Sequence, residues 1–88
     1  MEPQTVRAFV LIVADPAQTG EVYETLKTVP TIVELYQVMG PYDLVAVIES
    51  HSLTEVPSII SKSIRAVPGI ESTTTCVTFP EADLPPAG

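Results

Sequence analysis

The 88 residues suffice for one domain near the lower end of comfortable size, and a hydrophobic fraction of 45% sets the chain apart from a disordered tail. The formal charge is -7, with Arg7, Lys27, Lys62 and Arg65 the only strong cations. That balance excludes the basic footprint that displaces counterions from nucleic acid, and equally a polybasic contact with anionic lipid.

Cys76 is the single cysteine, so no intrachain disulfide forms and the fold needs no oxidising compartment. The opening Met1-Glu-Pro-Gln-Thr carries no basic region of the kind that begins a signal peptide, and no apolar run approaches the roughly 20 residues of a spanning helix. The expectation is a soluble, cytoplasmic protein with no membrane insertion.

Residues 1–5 read as an N-terminal extension. From Val6 to Ala14 a short β-branched run ends at the breaker Asp15-Pro16 and predicts a buried strand. Ala17 to Thr28 follows as a helix, with Val22, Leu26 and Val29 at spacings of four and three, and Pro30 closing it. Thr31 to Met39 alternates loosely and carries Glu34 and Gln37, as a half-exposed strand does. Gly40-Pro41 is a turn signal, and Tyr42 to Ser50 is a second, nearly continuous apolar strand.

The second helix starts at Ser52 or Thr54. Ser52-x-x-Glu55 has capping-box form, but a cap at Thr54 places Pro57 in the tolerated first turn. Its apolar stripe is Val56, Ile59, Ile60, Ile64 and Val67, and Pro68-Gly69 ends it. Ile70 to Phe79 is a threonine-rich last strand; residues 80–88 read as a flexible acidic tail. The domain proper is thus expected over 6–79.

The order is βαββαβ, and it contains a repeat. Leu26-Lys27-Thr28-Val29-Pro30-Thr31-Ile32 matches Ile64-Arg65-Ala66-Val67-Pro68-Gly69-Ile70 at an offset of 38; Ala8 with Ala46 and Val10 with Ile48 share that offset. Two βαβ halves related by a pseudo-twofold predict an α+β, ferredoxin-like two-layer sandwich with strands one and three central. The two helices cover one face of such a sheet, yet the third strand is apolar on both: Leu44, Ala46 and Ile48 on one, Val45 and Val47 on the other. The first strand likewise sets Val10 and Ile12 against Phe9, Leu11 and Val13. A homodimer packed sheet to sheet, a dimeric α/β barrel, would bury the second face.

The segment Val38-Met39-Gly40-Pro41-Tyr42-Asp43-Leu44 is the most specific feature. A hairpin turn accounts for the Gly and the Pro but not for a Tyr-Asp pair opening an apolar strand. With the later Val67-Pro68-Gly69-Ile70 and Thr73-x-Thr75, it resembles the effector-binding domain of leucine-responsive/AsnC regulators over about residues 6–79. It resembles that domain without the helix-turn-helix half, and it departs from the pattern at Pro41. The resemblance implies dimers assembled into rings, with a small effector, commonly an amino acid, bound between neighbouring dimers near the glycine loop. It implies ligand-binding roles for Gly40, Tyr42, Asp43, Thr73 and Thr75, with the Asp43 carboxylate placed for an ammonium group and the threonines supplying hydroxyls. Threonine is also a good edge-strand residue, so both readings of Thr73 and Thr75 stand.

Nothing else calls for chemistry. His51 has no second His or Cys beside it to hold a metal, and Cys76 has no basic neighbour in sequence to activate it. No phosphate-binding glycine loop is present, and no cofactor is expected. The leading expectation is a non-enzymatic, ligand-sensing regulatory module. The alternative is a partner-binding adaptor that joins full-length regulators or another protein complex without a ligand. An enzyme is third, because Tyr36, Tyr42, Asp43 and His51 are too few to specify a reaction.

Overall fold

The computed structural model describes residues 6–78. Strands β1 (Val6–Ala14), β2 (Ile32–Gln37), β3 (Leu44–Ser50) and β4 (Ile70–Val77) form one antiparallel sheet in the order β2-β3-β1-β4. Helix α1 (Thr19–Leu26) connects β1 to β2. Between β3 and β4 runs a composite helix: a 3-10 turn (Leu53–Glu55), the α segment α2 (Val56–Ile59) and a π turn (Ile60–Ile64). This is the ferredoxin-like α+β sandwich, with the two most apolar strands central and the Glu-, Gln- and Thr-bearing strands at the edges.

Burial along β1 alternates residue by residue. Ala8, Val10, Ile12 and Ala14 are buried with Leu44, Ala46 and Ile48 of β3, and Val22, Leu26, Val56, Ile60 and Ile64 of the helices complete that core. On the other face the register sets Phe9 beside Val47 and Cys76, and Leu11 beside Val45 and Thr74. Phe9, Leu11, Val13 and Val45 there are only half-buried, although Val47 retains 1% of its surface. Among the described residues no helix covers this apolar face.

The repeat in the sequence is also a repeat in hydrogen bonding. Val29 N–H donates to the Leu26 carbonyl (3.1 Å) and Ile32 N–H to the Val29 carbonyl (3.2 Å). At the same offset of 38, Val67 N–H donates to Ile64 (3.0 Å) and Ile70 N–H to Val67 (3.4 Å). Both helices thus hand over to an edge strand through the same pair of tight turns.

Several boundaries are tighter than the sequence predicts, each for a local reason. Helix α1 begins at Thr19 rather than Ala17 because Asp15 organises a turn first: its carboxylate accepts Ala17 N–H (2.9 Å) and its carbonyl accepts Gln18 N–H (2.8 Å). In β2 a register shift between Ile32 and Glu34 puts Ile32 and Leu35, three apart, on the helix side, which explains the loose alternation. The two starts considered for the second helix are reconciled by its composite form. Ser52 Oγ accepts Thr54 N–H (3.2 Å) and caps the 3-10 turn, while the α segment starts at Val56 with Pro57 in its first turn. The reciprocal capping box does not form as such, since Glu55 N–H bonds the Ser52 carbonyl instead. Strand β4 is assigned to Val77; Phe79 and the acidic tail lie outside the described residues.

Candidate functional site

The β2–β3 hairpin ends in Gly40, whose φ of 130° lies in the region that favours glycine, and Met39 beside it is 99% exposed. Asp43 closes this hairpin through one group and ties it to the central strand β1 through two. Its N–H donates to the Ile12 carbonyl (2.8 Å), and its carbonyl accepts Val38 N–H (3.0 Å). Its Oδ2 accepts Ala14 N–H (2.9 Å). The last contact has a clear cause: the β1–β3 ladder ends at the Ile12–Leu44 pair, one step short of the Ala14 amide on that side. The amide of Ala14 therefore takes a side-chain partner. This is why an Asp opens an apolar strand, and it starts β3 at Leu44 instead of Tyr42. Asp43 Oδ1 has no hydrogen bond among the described residues, so one acceptor of the carboxylate remains for a ligand.

Thr73 and Thr75 lie elsewhere. They pair with Ile12 and Val10, so they face the helix layer. Together with Val77 they form one side of a groove of about 450 Å³ whose other side is the composite helix. Gly40, Tyr42 and Asp43 do not line it. Within one protomer the structure thus brings Gly40, Tyr42 and Asp43 together at one place and Thr73 and Thr75 at another, with β1 between Asp43 and Thr73.

The groove adds residues that sequence reasoning missed. Leu53, Pro57, Ser61 and Arg65 run along its helix side at intervals of four, flanking the buried stripe of Val56, Ile60 and Ile64. That spacing is visible in the sequence, but four residues of such different chemistry do not announce a common surface until β4 is placed opposite them. The bond from Arg65 N–H to the Ile60 carbonyl (2.8 Å) spans five residues and is the π turn itself. Such turns occur frequently at functional sites.

A second polar cluster occupies the open sheet face. Arg7 bonds Glu34 and lies 3.9 Å from Glu49, and the Tyr36 hydroxyl donates to Glu34. The bond to Glu34, and then the carboxylate's negative charge, raise the Tyr36 hydroxyl above its ordinary 10.0. His51 is exposed in the loop after β3, and Cys76 is an exposed free thiol on β4. Among the described residues no three His, Cys, Asp or Glu side chains come together as a metal site, and no helix is long and apolar enough to cross a membrane.

Comparison with known proteins agrees with this architecture. The sequence profile described as the Lrp/AsnC ligand binding domain matches residues 7–83. The HTH-type transcriptional regulator FL11 of Pyrococcus horikoshii is 33% identical over 70 residues, which cover 80% of this chain and 46% of the regulator. The chain therefore spans about half the length of the curated relatives it matches. Among solved structures, TTHA0845 from Thermus thermophilus superposes with a TM-score of 0.80 at 32% identity, covering 85% of this chain and 94% of that one. The transcriptional regulator NMB0573 of Neisseria meningitidis, solved as a complex with L-Met, shares the fold at a TM-score of 0.77 and 11% identity, over 90% of this chain and 53% of the regulator. On profile, sequence and fold together, this chain belongs to the Lrp/AsnC ligand-binding domain family.

Proposed function

We propose that the domain is a ligand-sensing regulatory module that binds an amino acid or similar small effector where subunits meet. The family is one of ligand-binding domains, and a structural neighbour was solved with L-Met. The observation that carries the interface reading is the separation of the two clusters. Among the described residues Asp43 Oδ1 has no hydrogen bond and Asp43 shares no pocket with the threonine groove of its own protomer, so a ligand that touches both calls for a second subunit. The fully exposed Met39 at the hairpin tip, followed by Gly40 and preceded by the exposed Val38, is an apolar contact suited to such a neighbour. The uncovered sheet face supports a homodimer as the building block, and rings of dimers would bring hairpins and grooves of different dimers together. A protein partner without a ligand is the alternative, and the reading includes no catalytic step.

A thermal-shift screen against the standard amino acids, followed by calorimetry, tests the proposal, because a ligand that binds only the folded state raises its melting temperature. Asp43→Asn keeps an oxygen for Ala14 N–H but removes the charge. It should weaken an amino acid's binding about 10- to 100-fold, the worth of one charge-assisted hydrogen bond, and leave the fold intact. Unchanged affinity would remove Asp43 from the site. A screen without any stabilising amino acid would favour the adaptor.

A further inference from the structure

The groove between β4 and the composite helix has a charge character opposite to that of the chain. Eleven Asp and Glu face four Lys and Arg in the sequence, yet among the described residues no carboxylate lines the groove and one guanidinium, that of Arg65, does. Arg7 and Lys27 are already paired, with Glu34 and Glu49 and with Glu24. Arg65 has no ion pair among the described residues. Beside it stand the hydroxyls of Ser61, Thr73 and Thr75, and the remaining lining, including Val56, Ile60 and Val77, is apolar.

We propose that Arg65 reads the charge of the groove's occupant, which is a small aliphatic carboxylate. A guanidinium offers a planar fork of donors that matches a carboxylate's two oxygens, and the neighbouring hydroxyls complete its hydrogen bonding. The valine and isoleucine side chains take the aliphatic body. Among the described residues no carboxylate lines the groove to meet an ammonium group, so within one protomer an amino acid is held by its carboxylate, and a carboxylic acid without the amine also fits. The π turn positions this chemistry: an inserted residue rotates the side chains after it by about 100° relative to a regular helix, and Arg65 is the first residue past the turn. The inference deepens the effector-site reading above and rests on it for the part played by Thr73 and Thr75.

The test uses the full chain and isocaproate, with isocaproamide as its uncharged counterpart, followed by amide chemical shifts in NMR titration. Isocaproate should shift Ser61, Arg65, Thr73 and Thr75, and the amide should bind about 10- to 100-fold more weakly. Arg65→Gln, a change at an exposed position, should weaken isocaproate by the same factor and leave the amide as it was. Equal affinity for acid and amide, an unchanged Arg65→Gln variant, absence of any shift, or shifts outside the groove would each overturn the inference. Shifts of the groove residues on protein dilution alone would also overturn it, by identifying a second copy of the chain as the occupant. Leucine titrated against Asp43→Asn separates the two proposals. An Asp43-dependent affinity with no role for Arg65 leaves only the effector site, whereas an Arg65-dependent isocaproate affinity without amino-acid binding leaves only the groove.

Discussion

Gly69 and Gly20 illustrate how differently the same residue is constrained in one small domain. Gly69 has φ 98°, and a Cβ built there would meet Gln18 Oε1 at 2.6 Å and Val22 Cγ2 at 2.9 Å. Its carbonyl also accepts Asp15 N–H, which holds the start of β4 against the end of β1. Gly20 lies in α1, and a Cβ added there would have nothing within 4 Å. Gly69→Ala should therefore destabilise the protein by more than about 1 kcal/mol, and Gly20→Ala should stabilise it by about 0.5–1 kcal/mol. Urea denaturation midpoints moving in opposite directions would establish the contrast; two shifts of the same sign would refute it. At this scale Asp43 is instructive too. Its unusual place in an apolar strand is visible in the sequence, but the Ala14 amide it satisfies becomes visible only with the β1 register.

At the scale of elements, β3 shows that two residues on one face need not be equivalent. Val45 and Val47 both point away from the helices, but Val45 is half-buried whereas Val47 retains 1% of its surface within a single protomer. A lysine at 47 would bury a charge in the fold itself, and a lysine at 45 would place it on the uncovered face. If the sheet face is the dimer contact, Val45→Lys should yield a folded monomer in light scattering with native circular dichroism, and Val47→Lys should fail to fold. A Val45→Lys protein that stays fully dimeric would place the contact elsewhere. The composite helix carries a similar lesson. Its apolar stripe is legible at intervals of four, but the change from 3-10 to α to π depends on the Ser52 cap, Pro57 and the packing of Ile60 and Ile64.

For the whole molecule, charge decides more than shape. A formal -7 repels a phosphate backbone, and three of the four cations that oppose it are distributed between an ion-paired cluster, a surface pair and a groove rim. The purified chain should show no specific retention of duplex DNA at physiological salt in a mobility-shift assay; a salt-resistant complex would contradict this.

By itself the sequence determined the order of elements, the pseudo-twofold repeat, the identity of the central strands and the apolar character of both sheet faces. These follow from periodicities of two and about four residues, from Pro and Gly punctuation, and from the local pairing they dictate. Only the tertiary structure decided that Asp43 and the two threonines stand apart, and that Ser61 and Arg65 share a groove with Thr73 and Thr75. The reason is physical. A groove is made by two elements distant in the chain, and which side chains meet across it depends on strand register and helix rotation. A one-residue bulge in β2 or a single π turn alters both without leaving a mark in composition.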